Sequence, residues 1–197
     1  MNRSKPRIGV FVCRCGENIA KTVDVEQVVD YIKNLEYVVQ ANEYSFMCSD
    51  PGQKLIQESI QKNRLNRVVV ASCSPLMHEI TFQEACESAG LNPALLQMTN
   101  IREQCSWVID DVEEATMKAK SMVTGAVKRV RYHQPLDVKP MSIEPSVLVV
   151  GAGIAGIEAS LKLADADKQV YLVEREPGIG GHLARLYKTF PTLDCAA

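Results

Sequence analysis

The sequence lacks several features that would assign a protein to a large functional class at once. No apolar run approaches the ~20 residues of a membrane-spanning helix, and the stretch from Ile8 to Val12 is too short for a secretory signal. Lysine and arginine (22) do not outnumber aspartate and glutamate (24), so no basic surface predicts a nucleic-acid or membrane partner. The three histidines show no metal-ligand spacing. We therefore expect a cytoplasmic globular protein.

Apolar runs alternate with amphipathic helical patterns over the first 130 residues. Strand patterns cover Arg7–Cys13, Tyr37–Tyr44, Arg67–Ser72 and Ala94–Met98. Helical patterns cover Asp24–Asn34, Pro51–Asn63, His78–Ala89 and Glu103–Val130. This alternation predicts an α/β fold with a small, doubly wound parallel sheet over residues 1–133. Residues 134–145 contain three prolines and no amphipathic period, which predicts a linker.

A glycine fingerprint opens the remaining part of the chain, residues 146–197. An apolar strand runs into Gly151-Ala152-Gly153-Ile154-Ala155-Gly156, a helical pattern follows, and a second strand ends at Glu174. In this context the glycines permit a tight turn, close approach of a pyrophosphate and packing of the helix on the strand. The carboxylate of Glu174 is expected to accept hydrogen bonds from ribose hydroxyls and to repel a 2′-phosphate, which disfavours NADP. The pattern predicts the first βαβ unit of a Rossmann-type domain; a purely structural glycine turn is the alternative.

The fingerprint alone does not distinguish FAD from NAD, but the next segment favours FAD. A second glycine pair, Gly180 and Gly181, lies between Arg175 and His182. This arrangement resembles flavoproteins with two dinucleotide-binding domains, in which the backbone at this point approaches the FAD. We therefore predict that Arg175, Gly180, Gly181 and His182 bind FAD together with the fingerprint, although an ordinary flexible loop is the alternative.

Seven cysteines stand in a chain without a recognisable export signal, where metal ligation or redox chemistry explains thiols better than disulfides do. The carboxyl ends of parallel strands form one edge of a sheet, where ligands bind. Cysteines at that edge could hold an iron–sulfur cluster. We predict a [4Fe–4S] cluster on Cys15, Cys48, Cys73 and Cys105, with Cys13 as the substitute ligand. Redox-active thiols and buried structural cysteines stay open as alternatives, and no residue is a convincing acid–base catalyst.

Six segments, taken together and in order, resemble the A-subunit family of heterodisulfide reductases over essentially the entire chain. They are Val12–Ile19, Cys48–Gln53, Ala71–Phe82, Asn100–Trp107, Gly151–Ser160 and Gly178–Ala184. The resemblance implies an FAD- and iron–sulfur-dependent oxidoreductase subunit with a thioredoxin-reductase-like FAD domain. It implies electron input from a hydrogenase or formate dehydrogenase partner. It also implies electron output to ferredoxin and, through other subunits of the reductase, to the heterodisulfide of coenzyme M and coenzyme B.

The family continues for several hundred residues beyond the segment that this sequence matches. We therefore expect an N-terminal fragment, a split-gene product or a truncated chain that does not bind FAD tightly alone. Two other functional classes stay open. One is a partner-docking module whose cysteines are structural, and the other is a fragment of an NAD-dependent dehydrogenase.

Overall fold

The computed structural model describes residues 5–195 and divides the chain into two compact units, Met1–Val138 and Lys139–Ala197. The boundary lies within the proline-containing segment, and residues 133–146 form neither helix nor strand. Both units contain parallel strands connected by helices, so the predicted α/β class is confirmed. In the described part of the chain, no helix is both long and apolar enough to cross a membrane.

The first unit contains a four-stranded parallel sheet with helices between its strands. Its strands are β1 (Ile8–Cys13), β2 (Val38–Tyr44), β3 (Arg67–Ser72) and β4 (Leu96–Asn100). Its helices are α1 (Glu17–Ala20), α2 (Val25–Ile32), α3 (Asp50–Asn63), α4 (Pro75–Ser88) and α5 (Val112–Val130). A 3-10 turn, Pro93–Leu95, precedes β4, and a single π-helical turn, Arg102–Ser106, follows it.

The strand order β2-β1-β3-β4 determines where this sheet can bind a ligand. The chain first moves outward from β1 to β2 and then returns past β1 to β3, so the direction of winding reverses between β1 and β3. In open α/β sheets, ligands bind outside the carboxyl ends of the strands at such a switch point. The carboxyl ends of β1 and β3 carry Cys13 and Cys73.

The core of the first unit is formed by the two central strands and the helices on both sides. All six residues of β1 are buried, as are five of the six in β3, because each of these strands has a neighbour on both edges and helices cover the sheet. Helix α2 packs against α5, and α3 packs against α4. Right-handed crossovers place these two pairs on opposite faces of the sheet, as a doubly wound fold requires.

Two helix boundaries differ from the sequence-based prediction, and local capping explains both. Helix α4 begins at Pro75 rather than at His78, because the Ser74 hydroxyl accepts the N–H of Leu76 and proline suits the first turn. Helix α5 begins at Val112 rather than at Glu103, because the Asp111 carboxylate accepts the N–H of Glu114 at 2.8 Å. The single long helix predicted over Glu103–Val130 is therefore wrong in its first part, where Trp107 and Val108 lie outside a helix and are exposed.

The second unit contains β5 (Val147–Val150), α6 (Ile154–Asp165) and β6 (Val170–Val173). The two strands pair in parallel from Val147 opposite Val170 to Val150 opposite Val173. Of the residues described in this unit, only Ala152 is buried, and several apolar side chains of both strands are exposed. A βαβ unit with so little buried apolar surface has few tertiary contacts to stabilise it.

Candidate functional site

The loop after β1 folds around the sulfur of Cys13. Cys15 and Gly16 both have left-handed backbone conformations, with φ of 50° and 60°, which turns the chain sharply back. As a result the Cys13 Sγ accepts the N–H of Cys15 at 3.3 Å and the N–H of Met47 at 3.4 Å. Backbone N–H donors of this kind stabilise negative charge on sulfur.

Four of the predicted cysteines meet at the switch point of the sheet. Burial, with smaller contributions from nearby Cys15 and Cys48, raises the pKa of Cys13 to about 11. Burial also raises the pKa of Cys73, on which Cys15 and Cys48 act in the same direction. Cys15 and Cys48 therefore lie close enough to interact with both of the other thiols. We call Cys13, Cys15, Cys48 and Cys73 the thiol cluster.

Arg102 is the cation at the thiol cluster, and sequence reasoning missed it. Its Nη1 donates to the Cys15 Sγ at 3.3 Å, and its charge lowers the pKa of Cys73 against the larger effect of burial. The same guanidinium bonds the Glu103 carboxylate at 2.8 Å and stacks over Trp107, with 4.7 Å from its Cζ to the ring centre. The available sequence signal was an Arg-Glu pair directly after β4, the strand beside β3.

Buried polar atoms without hydrogen-bond partners gather at the same edge of the sheet. Within residues 5–195 these atoms are Glu43 Oε2, Ser72 Oγ, Arg102 Nε and Glu103 Oε2. Glu43 and Ser72 lie at the carboxyl ends of β2 and β3, and the Arg-Glu pair lies just beyond β4. Native interiors rarely leave such groups unpaired, so their concentration at one edge indicates a place for a bound group.

Cys105 lies apart from the thiol cluster. It belongs to the π-helical turn after β4, is fully buried, and its Sγ donates to the carbonyl oxygen of Ala115 in α5 at 3.2 Å. Cys86 is fully buried within α4, and Cys195 is exposed in the second unit. The structure thus brings together three of the four preferred ligands and the substitute, Cys13, while Cys105 faces α5. The ligand assignment itself stays a prediction.

The thiol cluster does not match the geometry of a site for a single metal ion. No three His, Cys, Asp or Glu side chains between residues 5 and 195 are arranged to hold a metal ion. A single zinc ion would need thiolates about 2.3 Å away on all sides. Iron–sulfur clusters are held by cysteine thiolates spread around a larger core, with hydrogen bonds to the sulfurs. Four thiols at the switch point, N–H donors to Cys13 and the unpaired donors Ser72 Oγ and Arg102 Nε fit that chemistry.

The second candidate site is the glycine fingerprint between β5 and α6. Gly151 has φ of 99°, a conformation that L side chains rarely adopt. A Cβ on Gly156 would lie 1.8 Å from the Gly151 carbonyl oxygen, so α6 can approach the turn only without a side chain there. Gly153 forms the N-cap of α6, followed by Ile154 and Ala155 in its first turn. This turn therefore directs the N-terminus of α6 and its free N–H groups toward the fingerprint, as a dinucleotide pyrophosphate requires.

Glu174 follows β6 directly and bonds the fingerprint. Its Oε2 accepts the N–H of Ala152 at 2.7 Å, while its Oε1 accepts the N–H groups of Arg175 and Glu176 at 2.7 and 3.0 Å. The backbone hydrogen bonds from Glu176, Ala152 and Arg175 lower the pKa of Glu174, in that order of effect. The carboxylate is thus ionised and held at the end of the strand, where a ribose is expected.

The second glycine pair packs on the fingerprint. The Gly180 N–H donates to the Ala152 carbonyl oxygen at 2.7 Å, and a Cβ on Gly181 would lie 3.3 Å from the Gly153 Cα. Positive φ values of 102° and 55° at Gly180 and Gly181 allow this approach. The backbone of the two glycine loops therefore forms a continuous surface, and the Glu174 carboxylate lies beside it. His182, by contrast, is exposed.

Comparison with known proteins supports an oxidoreductase domain at this position. Residues 146–191 match the family model described as FAD dependent oxidoreductase. The chain is 54% identical over 191 residues, 96% of its length, to the iron-sulfur A-subunit 1 of CoB–CoM heterodisulfide reductase from Methanopyrus kandleri. It is 51% identical over 98% of its length to the A-subunit of H2:CoB–CoM heterodisulfide,ferredoxin reductase from Methanothermobacter thermautotrophicus. It is also 47% identical over 98% of its length to the A-subunit of H2/formate:CoB–CoM heterodisulfide,ferredoxin reductase from Methanococcus maripaludis. The chain spans only 29–30% of the length of these relatives.

Proposed function

We propose that this chain, which is homologous over nearly its full length to the A-subunit of heterodisulfide reductases and carries part of an FAD-dependent oxidoreductase domain, belongs to an electron-transfer protein. That protein transfers electrons between a flavin and iron–sulfur clusters. Its second unit then binds the adenosine diphosphate half of FAD, and its first unit holds a [4Fe–4S] cluster. FAD, when bound, supplies a carrier that accepts two electrons together and releases them singly.

The observation that carries this proposal is the junction of the two glycine loops beside Glu174. The Gly180–Ala152 hydrogen bond joins the loops, and Glu174 accepts the N–H of the same Ala152. The free N–H groups at the start of α6 suit the pyrophosphate, and the Glu174 carboxylate suits the ribose hydroxyls. Ile154, Ala155, Arg175 and His182 complete the proposed FAD-binding set.

The thiol cluster is the proposed ligand set of the [4Fe–4S] cluster. Four thiols from the ends of three strands lie at the switch point, and two backbone N–H groups donate to the Cys13 sulfur, as they would to a ligating sulfur. Cys105 is the weaker candidate because its Sγ already bonds Ala115 inside the core. This set contains Cys13 in the place of Cys105, which the sequence-based prediction preferred.

The partners and substrates of the whole protein are proposed by analogy with the relatives. Two of their names combine the CoB–CoM heterodisulfide and ferredoxin with H2, and one of these also includes formate. We infer that this protein works with other heterodisulfide reductase subunits and receives electrons from a hydrogenase or formate dehydrogenase. Ferredoxin and the heterodisulfide are the proposed final acceptors.

Two measurements on the 197-residue chain test these assignments separately. An NMR titration with FAD should shift amide resonances of Ala152, Gly180 and Glu174; NAD should shift them less. Anaerobic reconstitution with iron and sulfide should give about four irons per chain and a paramagnetic resonance signal on reduction. A chain that takes up neither iron nor sulfide would instead support a docking module with structural cysteines. A preference for NAD would support the dehydrogenase alternative.

A further inference from the structure

Arg102 is bound on several sides at the edge of the thiol cluster. One terminal nitrogen, Nη1, donates to the Cys15 sulfur at 3.3 Å, and the other, Nη2, contacts the Met77 sulfur at 3.1 Å and the Glu103 carboxylate at 2.8 Å. The face of the guanidinium stacks over Trp107. Only 12% of the Arg102 side chain is exposed. Such a side chain is held in one orientation, and that orientation directs a positive charge at a sulfur.

The protein atoms around Arg102 leave one of its donors unpaired. Its Nε is buried and has no hydrogen-bond partner, and the Oε2 of Glu103 is buried without a partner as well. Leaving a buried donor unpaired is costly, particularly on a charged group. The arginine is therefore only partly satisfied by protein atoms, on the side of the molecule where the thiols meet.

We propose that Arg102 is a positioning residue for the thiol cluster: it holds the Cys15 sulfur in place and offsets the negative charge that the four thiolates share with a bound cluster. This inference rests on the proposed function and adds a determinant of redox potential to it. Hydrogen bonds to the ligating sulfurs and a nearby positive charge both stabilise the reduced, more negative state. The Arg102 guanidinium supplies both, and Trp107 and Glu103 fix its orientation.

Arg131 provides a matched control on the opposite edge of the same unit. Its Cζ also lies 4.7 Å from an aromatic ring centre, that of Tyr37, and its Nη1 lies 3.7 Å from a Glu36 carboxylate oxygen. Tyr37 precedes the amino end of β2, whereas the thiol cluster lies at the carboxyl ends of the strands. Arg131 thus stacks on an aromatic ring and pairs with a carboxylate, as Arg102 does, but it lies away from the thiol cluster.

The test is a redox titration, followed by paramagnetic resonance, of the anaerobically reconstituted 197-residue chain. We expect Arg102→Gln to lower the midpoint potential of the cluster, with at least a tenfold change in the ratio of oxidised to reduced cluster at the wild-type midpoint. For a one-electron couple that is about 59 mV. Arg131→Gln should leave the potential unchanged. If Arg102→Gln does not fold, Arg102→Lys replaces it and should show a smaller shift in the same direction, because lysine keeps the charge but not the planar set of donors.

The outcomes separate this inference from the function on which it rests. A wild-type chain that binds no iron would overturn the proposed cluster and this role of Arg102 together. A wild-type cluster whose potential does not move in the folded Arg102 variant, or moves equally in Arg131→Gln, would overturn the role of Arg102 alone. Loss of the cluster from a folded Arg102→Gln chain, with retention in Arg131→Gln, would support the positioning role directly.

Discussion

Gly156 stands so close to Gly151 that a Cβ on Gly156 would lie 1.8 Å from the Gly151 carbonyl oxygen. The clash would be with backbone, which cannot move aside without displacing the turn or helix α6. The relationship between these two glycines therefore fixes the distance between the fingerprint turn and the helix whose N-terminus faces it.

We expect Gly156→Ala to weaken FAD binding by at least tenfold, or about 1.4 kcal/mol, because the displaced turn no longer presents its N–H groups together. NMR titration of the 197-residue chain with FAD measures this change. Gly178→Ala is the control, since a Cβ at Gly178 meets nothing within 4 Å. Equal FAD affinity of the wild type and Gly156→Ala would show that the turn does not form the nucleotide site.

Because Glu174 accepts a hydrogen bond from the fingerprint turn, we expect the conformation of that turn to change at acid pH. Its pKa is lowered by the N–H groups of Glu176, Ala152 and Arg175, so the folded value lies below the ordinary value of about 4.3. Because the pKa of Glu174 is lower in the folded than in the unfolded chain, its ionised carboxylate stabilises the folded turn at pH values above the unfolded pKa. This stabilisation is lost as the pH falls through the folded pKa. We expect the Ala152 amide resonance to be constant near neutrality and to shift only below about pH 4.3.

Glu174→Gln supplies the control for this titration, because an amide can accept the Ala152 N–H but does not ionise. The acid shift of the Ala152 resonance should disappear in that variant. An unchanged titration in Glu174→Gln would assign the transition to another group and contradict the prediction.

Two of the buried cysteines, Cys73 and Cys105, should respond differently to replacement by serine. Cys73 lies in the thiol cluster, so Cys73→Ser should lose most of the reconstituted iron, because serine is a poor substitute for a thiolate ligand. In Cys105→Ser the hydroxyl can still donate to the Ala115 carbonyl oxygen, and the iron content should stay at the wild-type level. Iron and sulfide assays of the two reconstituted variants and of the wild type measure this difference. Loss of iron from both variants would restore the sequence-based ligand set, and wild-type iron content in Cys73→Ser would contradict the assignment of the thiol cluster.

Two glycines in helices of the first unit should have opposite effects on stability. A Cβ on Gly52, in the first turn of α3, would lie 2.4 Å from the Met47 carbonyl oxygen, so Gly52→Ala should destabilise the unit by about 1–3 kcal/mol. A Cβ on Gly125, exposed in α5, meets nothing within 4 Å. Gly125→Ala should therefore stabilise it by about 0.5–1 kcal/mol. Urea midpoints measure both changes, and a stable Gly52→Ala chain would contradict the backbone contact.

Local patterns predicted most of the strands and helices correctly, but they failed where two polar caps intervened. The apolar residues from Trp107 to Val112 continue a helical period, so the pattern predicts one long helix after β4. The Asp111 carboxylate instead caps a new helix and leaves Trp107 exposed, where it stacks on Arg102. Periodicity does not reveal such a break, because an amphipathic pattern can continue across a turn.

In the candidate sites, too, some residues could be identified from the sequence and others only from the fold. The fingerprint glycines and Glu174 could be identified from sequence because each has a role fixed by its immediate neighbours along the chain. The contact between Arg102 and Cys15 could not, since these residues are 87 positions apart and meet only after β1, β3 and β4 have paired.

The sequence by itself determined the α/β class, the division into a thiol-bearing unit and a dinucleotide-binding motif, and the edge of the sheet at which the cysteines lie. These properties follow from hydrophobic period, glycine positions and strand direction, which are local. Only the tertiary structure decided that Cys13 rather than Cys105 joins Cys15, Cys48 and Cys73, and that a partly buried arginine faces them. The direction of a side chain at a strand end depends on the turn that follows and on the element packed against it.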